Sequence, residues 1–145
     1  MEDRYLYKAK TTPKEKGEFN NVWVTGNLIV SNGKYYIHPV GNVVNVKNEI
    51  GRIIVMHEVI PDTICQCIGS KDKNGNLIWE NDIAQEISSF NFDSDKAKVS
   101  WIESEWMLEW KTKLFYRKDI KFWTSERIIE VIGNVFDNPE LLQGN

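Results

Sequence analysis

The chain contains two cysteines and two histidines. These residue types can bind zinc, or can act together as a catalytic nucleophile and its base. Cys65 and Cys67 are separated by one residue, whereas structural zinc sites usually space their cysteines by two to four. On a strand the two would share one face about 7 Å apart, beyond the ~4.4 to 6.8 Å of routine disulfides. Nothing in the spacing brings His38 or His57 to either thiol. We predict buried, reduced thiols, with no metal and no disulfide.

Carboxylates that could serve as a general acid and base form two groups. They are Glu80, Asp82 and Glu86 in the first group and Glu103, Glu105 and Glu109 in the second. Both groups alternate with apolar residues, as the solvated face of a sheet does. We therefore predict surface charges, no catalytic residue and no enzyme activity.

The turn that contains Asp72, Asn74 and Gly75 has the composition of a calcium loop. Counted from Asp72, the glycine and the bidentate glutamate of an EF-hand would fall on Leu77 and Ile83, so the register excludes that motif. The same turn has no Walker lysine followed by Ser or Thr, which excludes a phosphate-binding loop. We expect no cofactor.

Length and charge limit the function classes further. A chain of 145 residues suffices for one or two compact domains. Its net charge is -3, and residues 1–60 carry eight basic and six acidic side chains against ten and fifteen in residues 61–145. This excludes a general basic footprint for nucleic acid. The charged N-terminus and the lack of a long apolar window predict a soluble, cytoplasmic chain.

Alternating patterns predict an all-β chain with little helix. Asn21 to Val30 and Lys34 to Ile37 are β-rich runs around Asn32-Gly33, a strong signal for a type I′ hairpin. Asn74-Gly75 predicts a second turn of the same kind. Pro61 is the strongest break, so we place an N-terminal β-hairpin region at residues 1–60 and a second domain at 61–145.

The tryptophan-rich part of the second domain favours a hairpin. Lys96 to Ile102 reads as a strand, Glu103-Ser104-Glu105 as a turn, and Trp106 to Trp110 as a strand with three apolar residues on one face. A helix over Ser104 to Lys113 is the alternative, because Trp106 and Trp110 are four residues apart.

Six tryptophans are more aromatic surface than a small barrel easily encloses. We predict that some of it is covered by another subunit, as contiguous exposed apolar patches are uncommon on soluble monomers. The candidate interface residues are Trp101, Trp106, Trp110 and Trp123, and the expected partner is a second copy of the chain.

The segment of residues 111–121 contains both basic and aromatic residues. As an alternative to a protein interface, it is the candidate site for binding nucleic acid. Its candidate contacts are Lys111, Lys113, Arg117, Lys118 and Lys121. A solvated face beside packed aromatic residues is the interpretation that we favour for this segment.

Two motifs resemble those of a known family. GSKDKNGNLIWENDI, with VIPDTICQCIG before it, spans Val59 to Ile83, and EVIGNVFDNPELL spans Glu130 to Leu142. Both are similar to the motifs of the YopX-like proteins of bacteriophages and prophages. Cys67 stands where the family usually has an aromatic residue. Asn81 stands where glycine is usual, which suggests that this turn tolerates asparagine, a residue that adopts the left-handed αL conformation more readily than most.

The resemblance implies an all-β fold whose C-terminal part is an SH3-like small barrel, some tendency to self-associate, and no catalytic residue. We predict that the motif turn residues act through backbone conformation and not through a ligand. They are Gly69, Asn74, Gly75, Asn81, Gly133, Asn138 and Pro139. The functional hypothesis is a phage or prophage accessory protein that acts through protein contacts, and the alternative is a nucleic-acid-binding small β-barrel.

Overall fold

The computed structural model of the chain describes residues 3–13, 21–39, 56–86, 96–110, 117–119 and 129–143. Within these ranges the chain is built from antiparallel strands and short 3₁₀ turns, which confirms the all-β prediction. The strands are β1 Tyr7–Lys10, β2 Trp23–Ser31, β3 Lys34–Pro39, β4 His57–Glu58, β5 Cys65–Lys71, β6 Leu77–Trp79, β7 Asp82–Glu86, β8 Lys96–Ile102, β9 Glu105–Trp110, β10 Arg117–Asp119 and β11 Ile129–Asn134. No helix in the described ranges is long and apolar enough to cross a membrane.

The chain divides into two compact units inside β5. Tyr5–Gln66 forms one unit, and Met1–Arg4 with Cys67–Asn145 forms the other. The division falls between Gln66 and Cys67, a few residues after the boundary that Pro61 suggests.

In the Tyr5–Gln66 unit the strands are ordered β4-β3-β2-β1, and β1 also pairs with the first residues of β5. The hairpin between β2 and β3 turns at Asn32 and Gly33, whose φ angles of 52° and 74° are those of the predicted type I′ turn. Ala9, Ile37 and Val59 are fully buried and form the core of this unit.

In the second unit a five-stranded sheet has the order β10-β9-β8-β7-β11. Its core residues are Ile78, Ala84, Ala97, Val99, Leu108 and Ile129. The pairings among the described strands leave β10 and β11 at the two ends of the sheet, and the two are not paired with each other, so these strands do not form the closed SH3-like barrel that the resemblance implies. Closing the sheet would require a further pairing between strands far apart in the sequence.

The hairpin of β8 and β9 follows the strand interpretation and not the helical alternative. Glu103 and Ser104 form its turn with φ angles of 50° and 67°, and Trp101 lies opposite Trp106. Two consecutive residues with positive φ match the right-handed twist of the strands, even without glycine.

Candidate functional site

The first motif is organised around the buried carboxylate of Asp72, which is 4% exposed. Its Oδ1 accepts hydrogen bonds from the backbone N–H groups of Asn74 and Asn76, both at 2.9 Å. Its Oδ2 accepts one from the N–H of Val131 at 3.0 Å. Three charge-assisted bonds therefore hold one carboxylate between its own turn and β11.

Further bonds attach this turn, residues Asp72 to Asn76 (the signature loop), to β11. The N–H of Lys73 donates to the carbonyl of Ile129 at 2.9 Å, and the side-chain amide of Asn74 donates to Glu130 Oε1 at 3.0 Å. Gly75 has a φ of 82° and donates its N–H to the carbonyl of Asp72. The signature loop is thus a structural connection to β11.

Near the end of the first motif, Asn81 acts through its backbone. Asn81 has a φ of 68°, the left-handed conformation expected where glycine is usual. Its N–H donates to the carbonyl of Val99, and its own carbonyl accepts from Val135. The prediction of a surface charge is wrong at Asp82, whose carboxylate is buried and accepts a bond from the N–H of Trp79 at 2.8 Å. Asn81 therefore links β8 to the chain just after β11.

The residues of the second motif form hydrogen bonds with one another. Asn134 Oδ1 accepts from the N–H groups of Phe136 and Asp137, and Asn138 Oδ1 accepts from the N–H of Asn134 at 3.2 Å. A Cβ on Gly133 would lie 2.5 Å from Asn138 Oδ1, so the turn requires the bare backbone there. Pro139 then begins the 3₁₀ turn Pro139–Leu142, where its lack of an N–H costs no bond.

Backbone conformation explains some of the predicted turn residues but not all of them. Gly69 has a φ of 86°, and a Cβ there would also press on Arg4. Asn74 and Gly133 do not have positive φ, and Asn138 has a φ of −132°. These three residues act through side-chain hydrogen bonds or close approach, which differs from the conformational role expected of them.

The cysteines and histidines do not assemble into a reactive set in the described structure. Cys65 and Cys67 are buried and neither is in a disulfide; Cys65 Sγ donates to the carbonyl of Thr63 at 3.3 Å. His57 is buried opposite Ile37 in the pairing of β4 with β3. No group of three or more His, Cys, Asp or Glu residues in the described ranges could hold a metal ion.

Of the four tryptophans predicted for an interface, Trp101 and Trp106 lie opposite each other on β8 and β9. Trp101 is 55% exposed, and its ring meets the ring of Trp106 edge-on, with centroids 4.8 Å apart and planes at 65°. Along β8, Trp101 follows the buried Ala97 and Val99 on the same face, so the apolar stripe continues beyond the core. Trp110 lies opposite Ala97 at the end of β9, and Trp123 lies outside the described residues.

The predicted nucleic-acid segment falls largely outside the described residues. Arg117 and Lys118 belong to β10, where they pair with Glu109 and Leu108 of β9. Lys111, Lys113 and Lys121 lie outside the described ranges.

A basic and aromatic cluster that the sequence reasoning missed lies in the Tyr5–Gln66 unit. The ammonium groups of Lys8 and Lys10 lie 4.8 Å and 5.4 Å from the centroid of the Trp23 ring, within cation–π range. Lys10 and Trp23 are register partners of β1 and β2. The alternation of Lys8, Ala9 and Lys10 is the local signal, but the sequence does not show which strand lies beside it.

Comparison with known proteins finds the same family that the two motifs resemble. The model of the YopX protein family matches residues 3–143. The crystal structure of protein YopX from Bacillus subtilis is 22% identical, with a TM-score of 0.54 over 97% of this chain and 99% of that one, a likeness of fold. Protein EF1440 from Enterococcus faecalis is 21% identical, with a TM-score of 0.47 over 96% and 97% of the two chains. No curated protein matches. Because the family model covers nearly all of it, the chain belongs to the YopX protein family.

Proposed function

We propose that this chain is a phage or prophage accessory protein, acting in the cytoplasm of a bacterial host through protein contacts that include self-association. The resemblance of the two motifs to those of phage and prophage proteins supports the phage setting, and the match to the YopX family agrees with that resemblance. The observation that carries self-association is Trp101, a large apolar side chain more than half exposed on the face of β8 that otherwise builds the core. A second copy that covers this face would remove aromatic surface from water.

The proposal includes no catalysis. The carboxylates of Asp72 and Asp82 are buried and accept backbone hydrogen bonds, so they support structure at the positions where the motifs are most specific. The thiols of Cys65 and Cys67 are buried as well. The motif residues with defined side-chain partners stabilise turns, which favours a binding protein over an enzyme.

An SH3-like small barrel in the C-terminal part belongs to the same proposal. What supports it is the antiparallel meander β7-β8-β9-β10, with β11 beside β7. The exposed end of the β8–β9 hairpin would be one rim of the barrel.

The test is the dependence of mass on concentration. Light scattering at micromolar concentrations should give more than one chain for the natural protein and a monomer for Trp101→Lys. Val30→Lys is the matched control, because Val30 is 58% exposed near the β2–β3 turn. A monomer mass for the natural chain, or equal masses for the natural chain and Trp101→Lys, would refute self-association through this hairpin.

A further inference from the structure

We propose that one face of the β1-β2-β3 sheet binds single-stranded nucleic acid, a function beyond the proposed self-association and away from residues 111–121. This basic face is defined by Lys8, Lys10, Trp23, Asn27, Tyr36 and His38. It combines cationic side chains with aromatic rings on a sheet, the pairing that stacking platforms for single strands use.

The strand register places these residues on one side. Cross-strand partners share a face, and Lys10 lies opposite Trp23, Asn27 opposite His38, and Tyr36 opposite Ile29. The other side of the same strands carries the core residues Ala9 and Ile37. Asn27 is exposed and Trp23 and Tyr36 are half-buried, so the basic face is accessible to a ligand.

Charge complementarity selects an anionic ligand. The ammonium groups of Lys8 and Lys10 converge on one indole ring, which concentrates two positive charges at one end of the face. Glu58, the acidic residue on the described strands of this unit, lies opposite Tyr36 and pairs with Lys34 at 3.8 Å. Among the described strand residues, this face therefore carries Lys8, Lys10 and Lys34 against Glu58, which is a positive formal charge.

The length and the aromatic spacing favour nucleic acid over an acidic peptide. Trp23 and Ile29, the partner of Tyr36, are six residue steps apart along β2, which is about 20 Å of strand. A track of this length accommodates a site of about four or more nucleotides. Phosphates would contact the two lysines, bases would stack on Trp23 and Tyr36, and Asn27 and His38 offer polar groups to base edges.

The experiment uses the full chain and a fluorescently labelled oligothymidylate of about 15 nucleotides, with anisotropy measured over a salt series. Binding should weaken as salt rises, and Lys8→Gln with Lys10→Gln should reduce the slope of log K against log salt by about 1.4, for two phosphate contacts. Trp23→Ala and Tyr36→Ala should each weaken binding at least about fivefold. Lys8→Arg with Lys10→Arg keeps the charges and should bind like the natural chain.

Lys34→Gln is the matched control, because Lys34 is paired with Glu58, and it should change the salt slope less than the Lys8 and Lys10 changes do. Circular dichroism of each variant checks its fold. The proposal is overturned if the natural chain does not bind at low salt, or if polyglutamate or an abasic oligomer competes as well as oligothymidylate. It is also overturned if Lys113→Gln with Lys118→Gln removes binding while the Lys8 and Lys10 changes leave it intact.

Discussion

The carboxylate of Asp72 accepts a hydrogen bond from the backbone N–H of Val131, 59 residues later in the chain. Asp72 belongs to the first motif and Val131 to the second. A buried carboxylate loses hydration, and the bonds from Val131, Asn74 and Asn76 replace it. The two motifs that identify the family are therefore two halves of one structural contact.

Asp72→Asn should lower the free energy of unfolding by about 2 kcal/mol, because the new amide N–H₂ would face the N–H of Val131 or displace the bonds in the signature loop. Urea denaturation measures the change. Asp62→Asn, at an exposed position in the 3₁₀ turn Pro61–Thr63, is the control and should change stability by less than about 0.5 kcal/mol. Equal stability of the two variants would show that the buried carboxylate does not connect the motifs energetically.

Gly75→Val should destabilise the protein by about 1 to 3 kcal/mol. Gly75 has a φ of 82°, where β-branched residues are strained, and a Cβ there would meet nothing within 4 Å. The cost is therefore conformational and not steric. Gly75→Asn is the matched variant and should lose less than half as much in the same urea titration, since Asn adopts this conformation at Asn81. A larger loss for Asn than for Val would contradict a backbone role.

Gly133→Ala should be destabilising for a different reason. Its φ is not in the left-handed region, but the added Cβ would lie 2.5 Å from Asn138 Oδ1. We expect a loss of about 1 to 3 kcal/mol, as in overpacked cores. In a double-mutant cycle, Asn138→Gly should make Gly133→Ala cost less, because it removes the atoms that collide. Additive losses in that cycle would exclude the steric account.

The sequence predicted the parts of this fold that depend on local patterns. The Asn32-Gly33 hairpin and the hairpin of β8 and β9 follow from alternation and turn chemistry over fewer than 20 residues. Asn74-Gly75 resembles Asn32-Gly33 in sequence, but the Asp72 carboxylate binds the N–H of Asn74, and only Gly75 is left-handed. A side-chain contact thus overrode the local preference of an Asn-Gly pair.

The candidate sites were harder to predict, because they depend on which strands are neighbours. Trp23 lies 13 positions after Lys10 in the sequence, and only the pairing of β1 with β2 brings the ammonium over the ring. Trp101 was predicted as an interface residue from aromatic content alone. Its exposure depends on where the core ends along β8, a property of the packed sheet.

Both thiols should react with a disulfide reagent only after denaturation, because Cys65 and Cys67 are 1% and 0% exposed. A thiol titration in native buffer should therefore give close to zero equivalents, and the same titration in urea should give two. Elemental analysis of protein purified without chelator should show less than one equivalent of zinc. Zinc bound at one equivalent, or a thiol that reacts rapidly in the native protein, would show that the prediction of buried, metal-free thiols is wrong.

Substitutions at Trp101 and Trp106 should separate association from folding. Trp106 packs against the core cluster, so Trp106→Ala should lower the free energy of unfolding by about 3 kcal/mol. Trp101 contributes mainly its edge contact with Trp106, so Trp101→Ala should cost about 1 kcal/mol or less in unfolding. Sedimentation velocity across micromolar concentrations should nevertheless show that Trp101→Ala dissociates the proposed oligomer. If Trp101→Ala instead destabilises the fold as much as Trp106→Ala and leaves the sedimentation coefficient unchanged, the exposed ring belongs to the core of its own chain and not to an interface.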